Sequence, residues 1–164
     1  MTTARRITRE RAFQALYMMD VLPALTEDQA LMQVLNVQNN NVNIEETNLV
    51  ALYKELLPEE LRTTQIAVDS LDYVRNLIQG VKEHQATLDD QINQHLNKRT
   101  LSRVELANII ILRLAAYELI YEDELAPSIV MDEAIELAKL FNDEPSSKFI
   151  NGILQSILNE NSGA

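Results

Sequence analysis

The sequence of 164 residues lacks cysteine and tryptophan and has only three glycines, four prolines and two histidines. The absence of cysteine excludes disulfides, thiolate metal sites and a cysteine nucleophile. With His84 and His95 as its two histidines, a histidine-based metal site is also disfavoured. Average glycine content is about 7%, so this chain is poor in the residues that tight turns require. An all-β fold with many turns is therefore disfavoured.

Long apolar runs are also missing. The N-terminus has no apolar stretch of signal-peptide length. The most apolar segment, residues 104–121, is interrupted by Glu105, Asn108, Arg113 and Glu118, so it does not read as a membrane span. A hydrophobic content of 46% with 24% charged residues is typical of a globular chain. We therefore expect one domain in a cytoplasmic protein.

The spacing of apolar residues at three and four predicts an all-α bundle of roughly seven helices. The predicted helical segments are 4–20, 26–37, about 45–57, a long run from Val68, 88–96, 106–121, and two that open at Pro127 and Pro145. Thr26 with Gln29, and Ser102 with Glu105, have the spacing of capping boxes. Gly80 marks either a helix end or close packing with a neighbouring helix, and the Asn-rich residues 36–43 predict a loop.

Basic charge is scarce and unevenly placed. The net charge is −11, which on average disfavours nucleic acid. The first 20 residues hold four arginines and two acidic residues, net +2, and the other 144 residues carry −13. On a helix, Arg5 and Arg9 lie one turn apart with Arg6 between them. Arginines are costly in an apolar core, so we expect this turn to project past the core or to form a mobile arm. Both a solvated terminus and a phosphate-binding site fit.

Other polar groups have structural interpretations. Arg113 lies in the most apolar helix and predicts an ion pair with a carboxylate on a neighbouring helix. Carboxylate pairs such as Asp89 with Asp90 are interpreted as solvated surface. Residues 146–149, Ser-Ser-Lys-Phe, begin the last helix, where hydroxyls, free N–H groups and a lysine suit a phosphate. The alternative is structural, because serine near a helix start usually caps it and phenylalanine usually belongs to the core. We find no nucleophile–base set, so neither an enzyme nor a cofactor is predicted.

The C-terminal third contains three segments that can be compared with known families: ILRLAAYEL at 111–119, MDEAIELAKLF at 131–141 and SSKFINGIL at 146–154. Their order and spacing resemble the NusB family of bacterial transcription antitermination factors. RERAFQALY at 9–17 resembles the family's opening helix, and LIQGV at 77–81 and LDDQI at 88–92 are looser matches. Residues 21–60 show no useful resemblance.

The resemblance implies a single domain of residues 1–164 with two helical lobes, about 1–80 and about 81–160, sharing one core. It implies a factor that binds the boxA element of ribosomal RNA leaders as single-stranded RNA. The implied partners are NusE, which is a small-subunit ribosomal protein, and the RNA polymerase antitermination complex. No catalysis, cofactor or metal is implied, and a homodimer is possible.

The positions that correspond to the family's RNA contacts are Arg5, Arg6, Arg9, Lys148 and Phe149. Tyr17 matches a tyrosine near the ribosomal-protein surface. Asn108 stands where the family usually has an acidic side chain facing that partner, and Ile7 stands where relatives often have another basic residue.

Two alternatives stay open. The acidity and Ile7 favour a helical protein-binding adaptor without useful RNA affinity. A similar domain also forms the RNA-binding lobe of a ribosomal RNA methyltransferase, although this chain has no Gly-rich cofactor-binding unit. If the leading interpretation holds, acidity weakens binding of RNA alone and increases dependence on a basic protein partner.

Overall fold

The computed structural model describes residues 3–35, 48–97 and 100–162, and the regular secondary structure within these ranges is entirely helical. The α-helices of these ranges are α1 (Ala4–Val21), α2 (Glu27–Leu35), α3 (Leu49–Glu55), α4 (Thr64–Glu83), α5 (Gln85–Gln94), α6 (Leu106–Tyr121), α7 (Pro127–Phe141) and α8 (Glu144–Ser162). Short 3₁₀ turns occur at Glu59–Leu61 and Leu101–Arg103. The predicted all-α class is confirmed, and the described ranges hold one α-helix for each of the eight segments predicted from the spacing. The predicted loop at 36–43 lies outside the described residues.

The chain divides into two compact units, Met1–Gln79 and Gly80–Ala164. In the first unit, α1 packs on α2. The buried residues of α1 include Ala12, Phe13, Leu16 and Met19, which the three-and-four spacing places on one helix face. Arg75 of α4 is tied to the first turn of α2, with Nη1 at 2.6 Å from Glu27 Oε2 and 2.8 Å from Asp28 Oδ1.

The capping box predicted before α2 is confirmed. The backbone N–H of Gln29 donates to Thr26 Oγ1 at 3.2 Å, and the backbone N–H of Thr26 donates to Gln29 Oε1 at 2.9 Å. The box predicted before α6 is wrong. Ser102 lies in a 3₁₀ turn, and Glu105 is itself the N-cap of α6 without a side-chain capping bond. A capping box would make Ser102 the N-cap and Glu105 the third residue of the helix, but α6 begins only at Leu106.

In the second unit, α6 contacts α5, α7 and α8. Every residue from 108 to 118 is buried, which confirms α6 as the central helix expected from its apolar pattern. α7 begins with Pro127 as predicted, whereas α8 begins with Glu144, one residue before Pro145. Proline suits the first turn of a helix because its missing N–H has no intrahelical partner there.

The ion pair predicted for Arg113 is confirmed. Its guanidinium donates to both carboxylate oxygens of Asp89 on α5, Nε to Oδ1 at 2.7 Å and Nη2 to Oδ2 at 2.9 Å. The interpretation of Asp89 as solvated surface is therefore wrong. A short carboxylate near a helix surface reads as solvent-facing from sequence, but here it neutralises an arginine that the central helix buries.

Candidate nucleic-acid interface

The first turn of α1 presents one arginine to solvent. Thr3 caps the helix by accepting a hydrogen bond at 3.1 Å from the backbone N–H of Arg6. Arg5 is exposed, and its Cζ lies 3.5 Å from the centroid of the Tyr73 ring on α4. This is a cation–π contact, in which the ring face attracts the guanidinium without removing it from solvent. Arg6 is half-buried.

The next residues of α1 are buried. Ile7 is 5% exposed and Arg9 is 3% exposed. The expectation that this turn projects past the core or forms a mobile arm is thus wrong, because α1 is helical from Ala4 and Ile7 belongs to the apolar core. Arg9 has interaction partners within the protein. Its guanidinium would have to leave them to reach a phosphate. Arg6 also has interaction partners within the protein, so Arg5 is the most accessible of the three arginines.

The start of α8 is organised by a carboxylate. Asp143 Oδ1 accepts a hydrogen bond at 2.8 Å from the backbone N–H of Ser146. Hydrogen bonds from the Ser146 side chain and backbone hold the pKa of Asp143 below its ordinary value. Ser147 Oγ donates to the Glu144 carbonyl at 2.6 Å, and both serines are buried. The Ser146 N–H and the Ser147 hydroxyl are therefore engaged within the helix start, which fits the capping interpretation and leaves Lys148 as the group of this motif best placed to meet a phosphate.

Lys148 and Phe149 follow directly on this capped turn. Lys148 is exposed and Phe149 is half-buried, with a contact inside the protein. Lys148 is thus an accessible cation whose backbone position is set by the cap. Phe149 combines internal packing with a partly accessible ring.

Asn108 does not lie at an open surface. It is 5% exposed; its Nδ2 donates to Ser146 Oγ at 3.1 Å, and its Oδ1 accepts from Asn142 Nδ2 at 3.0 Å. Asn142 Nδ2 also donates to Glu105 Oε2 at 2.9 Å. This amide network joins the start of α6 to the α7–α8 connection. An acidic side chain in place of Asn108 would accept from both neighbours but could not donate.

Tyr17 lies on an exposed apolar face at the end of α1. Its side chain is 38% exposed, and Val21, one turn later, and Leu22 are each 54% exposed. The Tyr17 ring rests against Phe13, with centroids 6.0 Å apart. Apolar side chains clustered at an accessible helix end are typical of a protein-binding surface.

Within the described ranges, no group of three or more His, Asp or Glu residues is arranged to hold a metal ion. No described helix is long and apolar enough to cross a membrane.

These features define an all-α protein whose acidic chain carries an accessible arginine at the start of its first helix. The family model described as the NusB family matches residues 6–159, and the chain belongs to that family. The transcription antitermination protein NusB of Limosilactobacillus fermentum is 40% identical over 158 residues, covering 96% of this chain and 94% of the relative. That of Bacillus thuringiensis is 35% identical over 153 residues, covering 93% and 95%.

Solved structures agree with this fold. T. maritima NusB is 31% identical, with a TM-score of 0.70 and coverage of 98% of this chain and 94% of that chain. A chain of the crystal structure of antitermination factors NusB and NusE in complex with dsRNA has a TM-score of 0.71 at 24% identity, covering 98% and 99%. At that identity the second likeness supports the fold alone.

Sequence reasoning did not single out the residues that surround Arg5. Ile66, Asp69, Ser70 and Tyr73 recur at intervals of three, one and three, which places them on one face of α4. That face carries an acid, a hydroxyl and a phenol where a purely structural face would carry apolar side chains. The spacing was readable from the sequence, but its meaning depends on which helix lies opposite.

Proposed function

We propose that this chain is an RNA-binding transcription antitermination factor that binds boxA-type RNA of ribosomal leaders together with NusE and RNA polymerase. Its curated relatives carry the name transcription antitermination protein, and NusB and NusE occur together with dsRNA in a structure of the same fold. The role is non-catalytic, requires no cofactor and belongs in the cytoplasm, where bacterial transcripts are made. The observation that carries the proposal is the exposed Arg5 of a NusB-family chain whose basic charge is concentrated at its N-terminus.

The contact begins with phosphates. Arg5 is exposed and is the first cation available to an RNA backbone. Arg6, half-buried in the same helical turn, has interaction partners within the protein and would exchange them for a phosphate. Guanidinium groups pair with phosphate oxygens in a two-point geometry. Arg9 is 3% exposed, and we assign it to support of this turn. Since the remaining chain is acidic, the affinity of this small cationic site depends strongly on a basic partner.

Lys148 and Phe149 form a second RNA contact in the other unit. Lys148 supplies an exposed ammonium group, and the partly accessible ring of Phe149 supplies a limited stacking surface. In this proposal Asn108 touches neither the RNA nor the partner. Its hydrogen bond to Ser146 fixes the turn that precedes Lys148. Its contribution to partner binding is therefore indirect.

Tyr17 with Val21 and Leu22 forms the surface for NusE in this proposal. The three side chains are exposed and apolar, which suits a protein partner better than a polyanion. RNA and protein then use the two ends of one helix, and a basic partner bound there lowers the electrostatic cost of bringing RNA to the chain.

A titration tests the proposal. Binding of a boxA-containing RNA is measured by fluorescence anisotropy against a scrambled RNA, with and without NusE, at two salt concentrations. The variant Arg5→Ala/Arg6→Ala should bind more weakly. The slope of the logarithm of the binding constant against the logarithm of the salt concentration, here called the salt slope, should fall in magnitude by up to about 1.4, because each phosphate contact to a single strand contributes about 0.7.

The matched control is Lys82→Ala/Lys139→Ala, which removes two exposed positive charges from other helices. It should change the slope much less. If neither condition favours boxA over the scrambled RNA, the chain does not recognise boxA and the proposal is wrong.

A further inference from the structure

A cavity opens beside Arg5 within the first unit. Its volume is about 230 Å³, and it is lined by Ala4, Arg5 and Thr8 of α1 and by Ile66, Asp69, Ser70 and Tyr73 of α4. Pockets for drug-sized ligands measure about 300–1,000 Å³, so this cavity suits a smaller group. The cavity is open to solvent, and Arg5 and Asp69 of its lining are exposed.

One wall of the cavity is a layered pair of planar groups. The Arg5 guanidinium lies over the Tyr73 ring, 3.5 Å from its centroid. Thr8 Oγ1 donates to the Arg5 carbonyl and thereby holds this turn of α1. Aromatic rings and guanidinium planes are the surfaces on which unpaired bases stack in RNA-binding proteins.

The α4 face that carries Tyr73 also contributes polar groups to the cavity lining, because Asp69 and Ser70 lie one turn before the tyrosine. Gln65 Nε2 donates to Asp69 Oδ1 at 2.9 Å, and a carboxylate retains further acceptor capacity after one such bond. Ser70 is 6% exposed and adds a hydroxyl to the lining. Asp69 repels a phosphate but accepts hydrogen bonds from a base, so the cavity chemistry favours the base and leaves the phosphate at the arginine rim.

From this arrangement we propose that the cavity binds one unpaired nucleobase of the RNA, with Tyr73 and Arg5 as the stacking wall and Asp69 as the selecting acceptor. The assignment rests on the proposed function, since it names the base contact beside the phosphate contact. Adenine, cytosine and guanine present exocyclic amines to the carboxylate. Uracil presents one N–H between two carbonyls that Asp69 repels, so the site discriminates against uracil.

The test uses short single-stranded A, C and U oligonucleotides, an oligonucleotide carrying one 2-aminopurine, and free AMP and CMP. Tyr73→Leu should reduce affinity for the A and C oligonucleotides about tenfold, abolish quenching of the 2-aminopurine and leave the salt slope unchanged. Asp69→Asn should remove the preference for A and C over U. Asp72→Asn is the matched control, because it removes the same charge from an exposed position of α4 outside the lining.

The outcomes separate the two proposals. If Arg5→Ala/Arg6→Ala weakens binding but Tyr73→Leu, folded by circular dichroism, retains affinity and quenching, then the base site is wrong and the RNA-binding function stands. If the wild-type chain binds no RNA even with NusE, the function itself fails. Binding of free AMP or CMP as tight as that of the oligonucleotides would overturn the assignment to an RNA base in favour of a free-nucleotide pocket.

Discussion

Arg113 and Asp89 join the central helix α6 to α5 through two parallel hydrogen bonds of 2.7 and 2.9 Å. The arginine side chain is 10% exposed and the aspartate side chain 25% exposed, so the pair lies at the edge of the core. Both N–H donors of the guanidinium fork are directed at one carboxylate, a geometry that lysine cannot reproduce. The pair therefore fixes the relative position of two helices as well as satisfying a charge.

Loss of either partner should destabilise the second unit. We expect Asp89→Ala to lower the free energy of unfolding by about 2–3 kcal/mol, below the about 3–5 kcal/mol typical of fully buried pairs, because Asp89 is partly solvated. Urea unfolding of both single variants and the double variant measures the coupling. Asp90→Ala, on the exposed neighbouring position, is the control. Additive losses in the double variant would contradict a direct interaction.

A second prediction concerns Gly80, where sequence analysis left open a helix end or close packing. Gly80 lies within α4, so close packing is confirmed: a Cβ placed there would overlap the ring of Tyr117 on α6. Tyr117 is 7% exposed and stacks on Tyr121, with centroids 5.4 Å apart, so its ring has little room to move. We expect Gly80→Ala to cost about 1–3 kcal/mol, with overpacking outweighing the gain in helix propensity.

Gly152 provides the matched control for this substitution. It is exposed within α8, and a Cβ there meets no atom within 4 Å. Gly152→Ala should therefore stabilise the protein by about 0.5–1 kcal/mol through helix propensity alone. Thermal and urea unfolding of the two variants should move in opposite directions. A stabilised Gly80→Ala would mean that the Tyr117 ring yields.

The fold was largely predictable because its signals are local. α6 was recognisable from its continuous apolar surface, and Arg113 within that surface predicted a carboxylate partner. The capping box of Thr26 and Gln29 marked the start of α2. The false box at Ser102 shows the limit, since the same letters also fit a 3₁₀ turn. Which carboxylate pairs with Arg113 depends on how α5 packs against α6. The spacing of residues along one helix does not determine this packing, so Asp89 could not be chosen from the sequence.

The candidate site was predictable in part. The clustering of arginines was visible in the sequence, and Arg5 is accessible as expected. The burial of Arg9 was not foreseen, because one helix turn can be solvated on one side and covered on the other. Tyr73 is distant in sequence and meets Arg5 only through tertiary packing of α1 and α4. Likewise, the carboxylate that caps α8 belongs to Asp143, which precedes the Ser-Ser-Lys-Phe motif at 146–149 and is not part of it.

A third prediction follows from Tyr53, which is 1% exposed. Burial raises the pKa of its phenol to about 12, outweighing the opposite effect of the Arg11 charge. Within the described part of the chain its hydroxyl completes no hydrogen bond. In the unfolded chain a tyrosine titrates near pH 10. The unfolded state therefore loses this proton first, so the stability from Tyr53 is intact below about pH 10 and is lost as pH rises toward 12.

Tyr53→Phe should remove this alkaline loss, which is on the order of 2 kcal/mol. Near pH 8 the variant should be about as stable as the wild type, because it deletes a buried hydroxyl without a completed hydrogen bond. Urea unfolding at several pH values from 8 to 11 gives the free energy of unfolding of each protein. The titrations of the other groups cancel in the difference between the two free energies. A difference that stays constant over this range would show that Tyr53 titrates normally.

The last prediction separates the protein-binding and RNA-binding parts of α1. Tyr17 is 38% exposed beside Val21, whereas Arg5 lies three turns earlier on the same helix. Replacing Tyr17 by Ala should weaken binding of NusE by about tenfold or more, because an aromatic anchor in an interface commonly contributes about 2 kcal/mol. The affinity of the chain alone for RNA should stay unchanged, since no cation is removed. Tyr121→Ala, a tyrosine of similar exposure in the other unit, is the control. Calorimetric titration with NusE and anisotropy with RNA measure the two affinities, and equal weakening of both by Tyr17→Ala would contradict the division of α1 into two surfaces.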